Sequence, residues 1–156
     1  MATRSNIAMK TVEGKIISIY SHWDGYPANN GKILQENYNT TAKVQELIAL
    51  GSISSLGAEI GEKQDFDNRD SQSPDWTLAY HRDRGEELSI AEYDDIPSWI
   101  ADMEEYAYLW NGQEWLVNDH GELTQKNKFP VFDLLESVVE REVAAMEARI
   151  AAAETN

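Results

Sequence analysis

The strongest constraint on the fold is a pair of alternating segments on either side of an Asn-Gly dipeptide. Residues 106–110 read Tyr-Ala-Tyr-Leu-Trp and residues 113–117 read Gln-Glu-Trp-Leu-Val, with Asn111 and Gly112 between them. Successive side chains of a strand point to opposite faces, and Asn-Gly favours the type I′ turn of a two-residue hairpin. The pattern therefore predicts a β-hairpin with one aromatic face. Such a face is usually part of the core and less often a recognition surface.

Similar patterns elsewhere predict an α+β domain. A second hairpin is expected from residues 4–9 and 16–22, further strands from residues 76–81 and 88–93, and helices from residues 32–38, 42–50 and 97–105. A long final helix is expected to open at Pro130 and Asp133 and to end near Ala152. We expect a mostly antiparallel sheet of five or six strands with helices on one face. Residues 1–128 form an acidic core domain. Residues 129–156 form a C-terminal helix that joins this domain or serves oligomerisation, and its Ala-rich last turns project or pair with another copy.

Composition excludes several classes of protein. The chain has 156 residues and no cysteine, so disulfides, thiolate zinc sites and cysteine catalysis are absent. No apolar segment has the length of a signal peptide core or a bilayer span. We therefore expect an intracellular protein that does not bind membranes.

Negative charge is concentrated in the middle of the chain. Residues 61–125 carry four basic and seventeen acidic side chains, a net charge of −13 out of −15 for the whole chain. This charge disfavours direct nucleic-acid binding and attracts cationic partners. It is also what a soluble surface requires. The residues expected on an acidic face are Asp65, Asp67, Asp70, Glu86, Glu87, Asp94 and Asp95.

The run His-Trp-Asp-Gly-Tyr-Pro at residues 22–27 ends the second predicted strand. His22 and Asp24 are two residues apart, so their side chains can share a proton or a ligand, whereas a metal would need further ligands. In the alternative interpretation, Asp24 starts a turn while Trp23 and Tyr26 pack a corner. The run is thus a candidate ligand or partner site, with no metal assigned.

A second candidate is the basic cluster of His81, Arg82 and Arg84. Positive side chains are scarce in this part of the chain, so these three are candidates for holding a phosphate, a carboxylate or a nucleotide. The alternative is ion pairing with neighbouring acids on the surface. Because both histidines follow predicted aromatic strands, His22 and His81 can converge in the fold.

Known catalytic and cofactor motifs are absent. The sequence has no phosphate-binding P-loop, no Gly-x-Ser-x-Gly and no His-Glu-x-x-His. The acidic loop at residues 65–73 lacks the central Gly and terminal Glu of a calcium loop. We therefore predict no cofactor and no metal, and an enzyme is the less favoured class.

The chain resembles a family of small uncharacterised phage and prophage proteins. The likeness rests on the run at residues 22–27, on Thr-Arg-Ser-Asn-Ile at 3–7, on Ala-Tyr-His-Arg-Asp-Arg-Gly at 79–85 and on the Asn-Gly hairpin. It covers about the first 118 residues and leaves out the C-terminal helix. The resemblance implies a viral origin and carries over no catalytic residue.

Three functions follow as hypotheses. The first is a phage accessory protein in the host cytoplasm that binds and inhibits or redirects a basic host protein, such as a defence component, in the extreme as a DNA mimic. The second is a binder of a small anionic ligand, such as a nucleotide signal, at the two candidate sites. The third is an enzyme that uses His22 and Asp24 as an acid–base pair.

Overall fold

The computed structural model describes residues 2–119 and 132–154. The strands are β1 (Ser5–Lys10), β2 (Ile16–Ser21), β3 (Ile53–Ser55), β4 (Leu78–Ala79), β5 (Ala91–Tyr93), β6 (Tyr106–Trp110), β7 (Trp115–Asp119) and β8 (Asp133–Leu134). The helices are α1 (Lys32–Asn37), α2 (Thr41–Ala49), α3 (Tyr80–Arg84), α4 (Ile96–Asp102) and α5 (Leu135–Glu154). A π-helical turn, Pro27–Gly31, leads into α1, and a 3₁₀ turn, Arg69–Ser71, lies before β4.

The prediction of an α+β protein is confirmed, but the prediction of a mostly antiparallel sheet of five or six strands is wrong. The sheet is mixed and has eight strands in the order β4-β3-β2-β1-β6-β7-β8, with β5 also paired to β2. The two predicted hairpins, β1–β2 and β6–β7, meet through a parallel pairing of β1 with β6. Strands β4 and β5 lie within the strands predicted at residues 76–81 and 88–93. Strands β3 and β8 were not expected, because segments of three and two residues are too short for a period of two to be recognised.

Helices cover both faces of the sheet, and the prediction of helices on one face is wrong. One face of β1, β2 and β6 packs against α1, α2 and the start of α5 around Ile7, Leu34 and Tyr108. The opposite face packs against α4, whose Trp99 is 1% exposed and donates a hydrogen bond from its ring nitrogen to the Ser18 hydroxyl. The sequence predicted this helix, at residues 97–105, but no local pattern indicated that it packs on the opposite face from α1 and α2.

The aromatic hairpin is confirmed, but its turn is not of type I′. Trp110 pairs with Trp115, so the loop has four residues instead of two. The Asn111 side-chain oxygen accepts hydrogen bonds from the backbone N–H groups of Gln113 and Glu114, and this closes the loop as an Asx turn. The aromatic face forms part of the core, because Tyr108, Trp110 and Trp115 are at most 3% exposed.

The C-terminal helix begins at Leu135, later than predicted, because Asp133 belongs to β8; Pro130 lies outside the described residues. Leu135 and Val139 are buried in the main core. From position 144 onward the described side chains are exposed, so in the single chain the Ala-rich turns extend beyond the core. Residues 135–143 anchor the helix, because Val143 also packs against this core.

Glu142 ties α5 to the π-helical turn and supplies a test of this packing. Its carboxylate accepts a hydrogen bond of 3.1 Å from the backbone N–H of Ala28. Burial raises the pKa of Glu142 above its ordinary value. A raised carboxyl pKa means that the charged form is less stable in the folded than in the unfolded chain, so stability falls as pH rises through this pKa.

We expect Glu142→Gln to raise the melting temperature at pH 7, because the amide oxygen can still accept from Ala28 without a buried charge. The difference should vanish below about pH 4, where the carboxyl group is protonated in both states. Thermal unfolding at both pH values measures this, with the exposed Glu140→Gln as the matched control. A lower melting temperature for Glu142→Gln at pH 7 would mean that the charged hydrogen bond outweighs desolvation.

Candidate functional site

The run at residues 22–27 forms a tightly packed corner at the end of β2. Gly25 donates its N–H to the Thr3 carbonyl oxygen and accepts a hydrogen bond from the buried Tyr108 hydroxyl. A Cβ atom at Gly25 would lie 2.8 Å from the Cβ of Ser5, a distance that only a shift of the backbone would relieve. Glycine is therefore required here by the close approach of two chain segments.

A buried amide holds the other side of the corner. Asn30 is 0% exposed, and its side-chain nitrogen donates to the Ser5 and Ser21 hydroxyls at 3.3 and 3.1 Å. Its own side-chain oxygen accepts from Asn29. These bonds join the π-helical turn to the ends of β1 and β2, so the corner is rigid and its exposed side chains are held in place.

His22 and Asp24 do not form a pair in the part of the chain that the structure describes. The Tyr20 hydroxyl hydrogen-bonds with Nδ1 of His22 at 2.6 Å. Asp24 has a φ of 54° and lies exposed in the turn that follows. Tyr26 is half-buried at the start of the π-helical turn. His22 and Asp24, the two residues of the acid–base hypothesis, thus form no hydrogen bond with each other in the described structure.

Arg82 is committed to the interior of the protein. Its guanidinium donates five hydrogen bonds: two to the Asp83 carboxylate and three to the carbonyl oxygens of Ile60, Gly61 and Thr77. Asp83 is 6% exposed and also accepts from the backbone N–H groups of Gln64 and Ala79. Because every N–H group of Arg82 is engaged, this side chain has no donor left for a ligand.

Arg84 and His81 are also occupied by neighbouring groups. The Arg84 guanidinium lies 4.4 Å from the ring centre of Phe66 and 4.9 Å from that of Tyr80, and it binds the Glu86 carboxylate. His81 donates from Nδ1 to the Glu86 carbonyl oxygen at 2.7 Å. Strand β3 separates the ends of β2 and β4, so His22 and His81 are not in contact among the described residues. The basic cluster is a structural element that orders the acidic loop.

A cavity that the sequence did not reveal lies beside Trp23. It has a volume of about 360 Å³, and the acidic loop, β3 and the exposed ring of Trp23 enclose it. Arg69, Gln72 and Trp76 are among its lining residues, and Arg69 has no ion pair with any residue in the described ranges. The side-chain nitrogen of Gln72 bonds the carbonyl oxygens of Asp65 and Phe66, which fixes that wall.

The edge-to-face contact of Trp23 with His22 orients this ring, with 4.7 Å between the ring centres. The cavity joins the 22–27 corner to a loop more than forty residues further along the chain. The sequence signal that could have indicated this cavity is a single arginine, Arg69, in a loop rich in aspartate.

All seven residues of the predicted acidic face are exposed. They fall into two groups at opposite ends of β2. The loop patch, near the end of β2, comprises Asp65, Asp67, Asp70, Glu86 and Glu87. The second group, Asp94 and Asp95, follows β5, which pairs with the start of β2. Asp95 caps α4 by accepting from the backbone N–H of Ser98. Hydrogen bonds from the Ser98 side chain and backbone lower the pKa of Asp95.

A metal-binding cluster and a membrane-spanning helix are both missing from residues 2–119 and 132–154. No cluster of three or more histidine, aspartate or glutamate side chains there has the geometry to hold a metal ion. No helix in these ranges is both long and apolar enough to cross a bilayer. His120 lies outside the described residues.

No protein family, curated protein or solved structure matches the chain at a significant level.

The internal role of Arg82 gives a stability prediction. We expect Arg82→Ala to lower the free energy of unfolding by about 3 kcal/mol, because it leaves the buried Asp83 carboxylate without its counter-ion. The more exposed Arg84→Ala serves as a control and should cost less than about 1 kcal/mol. Urea unfolding followed by tryptophan fluorescence measures both. Equal losses in the free energy of unfolding would show that Arg82 contributes no more to stability than Arg84.

Proposed function

We propose that this chain is a viral accessory protein that binds a basic host protein and inhibits or redirects it. The observation that carries the proposal is the state of the charges around the loop patch. Its five carboxylates are exposed. Arg82 is held by carbonyl groups and by Asp83, so it does not pair with the patch. Arg84 stacks against two aromatic rings and pairs with one carboxylate of the patch, that of Glu86. The other four carboxylates form no ion pair within the described residues, so the surface keeps most of its negative field.

Such a field favours fast association with a cationic surface and repels nucleic acid. The loop patch is also well ordered, because Asp83 and Gln72 hold the loop from inside. An ordered acidic surface loses little conformational entropy when it binds. These features support recognition of a protein that itself binds nucleic acid, with the loop patch in the place of phosphates. A nuclease or another defence component in the host cytoplasm has the required chemistry.

Affinity purification from a bacterial host lysate, analysed by mass spectrometry, tests the proposal. We expect the wild-type chain to retain a basic protein at low salt and to release it as salt rises, because exposed charges are screened. Glu86→Lys with Glu87→Lys should abolish this retention. The matched control is Glu13→Lys with Glu46→Lys, which makes the same change in net charge at two exposed sites outside the patch. No specific protein at low salt, or equal loss in both variants, would contradict the proposal.

A small planar anion in the Trp23 cavity is the second candidate function. The cavity volume falls within the range of small-molecule sites, and its lining combines two tryptophan rings with mostly polar side chains. The tryptophan rings offer stacking surfaces for a ring, and Arg69 offers an unpaired cation for a phosphate or carboxylate. The nucleotide hypothesis is thereby transferred from Arg82 and Arg84 to Arg69 and Trp23.

We expect a nucleoside monophosphate to quench tryptophan fluorescence and to raise the melting temperature. Both effects should be lost in Arg69→Gln and in Trp23→Ala, because these substitutions remove one ligand contact each at exposed positions. Lys63→Gln, a loss of one charge at an exposed neighbouring site, is the control. If a panel of nucleotides leaves fluorescence and melting temperature unchanged, the cavity does not serve this function.

A further inference from the structure

An apolar groove runs between α1 and α5 on the side of the sheet that holds the main core. It has a volume of about 360 Å³, and its apolar lining includes Val139 and Val143 of α5. Beyond this groove the apolar stripe of α5 continues through Met146 and Ile150, which are 41% and 57% exposed. From Val139 to Ile150 this surface is about 16 Å long, at 1.5 Å per residue of helix.

The rims of the groove are acidic. Glu136, Glu140 and Glu147 are exposed along one flank of α5, because residues spaced by four and seven positions lie on the same side of a helix. Glu36 of α1 forms part of the opposite rim. Lys32 is the single cation among the lining residues, and its ammonium lies 4.0 Å from the Glu36 carboxylate.

We propose that this groove binds a cationic amphipathic helix of a partner protein. An apolar surface about three turns long accepts side chains at positions i, i+3 or i+4, and i+7 of such a helix. Lysine or arginine side chains on the flanks of the incoming helix would meet glutamates on both rims. The groove shares no residue with the loop patch, so this inference goes beyond the proposed function and does not depend on it.

A second copy of the chain fits the groove less well. Each copy carries a net charge of −15, which opposes association. When two copies of α5 pair in antiparallel orientation about a twofold axis, each flank meets the same flank of the other copy. The flank with Glu136, Glu140 and Glu147 would then face itself. Charge complementarity selects a basic partner helix instead.

A model peptide tests this binding directly on the full chain. The probe is a fluorescently labelled peptide of about 14 residues, four helical turns, made of leucine and lysine with the leucines at helical spacing. The reference probe has the same composition in an order that gives no apolar face. Fluorescence anisotropy near physiological ionic strength gives both dissociation constants. We expect the amphipathic peptide to bind at least about tenfold more tightly than the reference peptide.

Variants then locate the site. Glu140→Lys with Glu147→Lys should weaken binding of the amphipathic peptide by about tenfold or more, while the charge-matched Glu13→Lys with Glu46→Lys should change it by less than about threefold. Hydrogen exchange should slow in the exposed turns of α5 when the peptide binds. Equal affinity for both peptides, or equal loss in both variants, would overturn the proposal because it would indicate non-specific charge attraction.

Sedimentation of the chain without peptide tests whether a second copy of the chain occupies the groove. We expect a monomer. A dimer that persists at high salt and is disrupted by Ile150→Glu would overturn the proposal, because the groove would then be an interface between two copies. Glu86→Lys with Glu87→Lys should leave peptide binding unchanged. Failure of the groove proposal can therefore be distinguished from failure of the loop-patch proposal.

Discussion

The buried pair of Arg82 and Asp83 is the interaction on which the acidic half of the molecule depends. One carboxylate accepts from the backbone of residue 64 and of residue 79, and the guanidinium beside it binds three carbonyl oxygens. These bonds fasten the segment around residues 60–64 to the β4–α3 junction. Charges taken from water are costly unless each polar atom has a partner. Here the partners are supplied by backbone groups that would otherwise be unsatisfied where short strands end.

The same pair determines what the neighbouring surface can do. Because the loop of residues 65–75 is held from inside, its aspartates stay at the surface and its wall beside Trp23 stays in place. The corner at residues 22–27 is held by a different set of bonds, those of Gly25 and Asn30. The Arg82–Asp83 pair and the corner at residues 22–27 are distant in sequence, and both hold walls of the same cavity. Packing explains most of the residues of the His-Trp-Asp-Gly-Tyr-Pro run, and the exposed ring of Trp23 is the part that remains accessible to a ligand.

The longer elements of the fold could be predicted from sequence because their patterns are local. β1, β2, β6, β7, α1 and α2 all lie close to the expected positions. The error in the Asn111 loop did not disturb the core, because a shift of two residues returns every side chain to the same face. The parallel pairing of β1 with β6 joins segments about a hundred residues apart, and no local pattern records it. The exposure of the acidic residues was predictable, whereas the burial of Arg82 was not, because its partners are mostly backbone carbonyl groups.

Two different short strands pair with one edge of β2, and this arrangement leaves part of the edge weakly protected. β3 covers its end, while its first three residues are covered by β5 alone, a strand of three residues whose first two side chains are exposed. If β5 separates, the backbone of Ile16–Ser18 becomes an open template to which another chain can add a strand. By pairing with these residues, the short strand β5 prevents the addition of a strand from another molecule. Lys15, which directly precedes β2, lies 3.1 Å from the carboxylate of Glu92 within β5 and 3.9 Å from that of Asp94, and these ion pairs help to keep β5 in place.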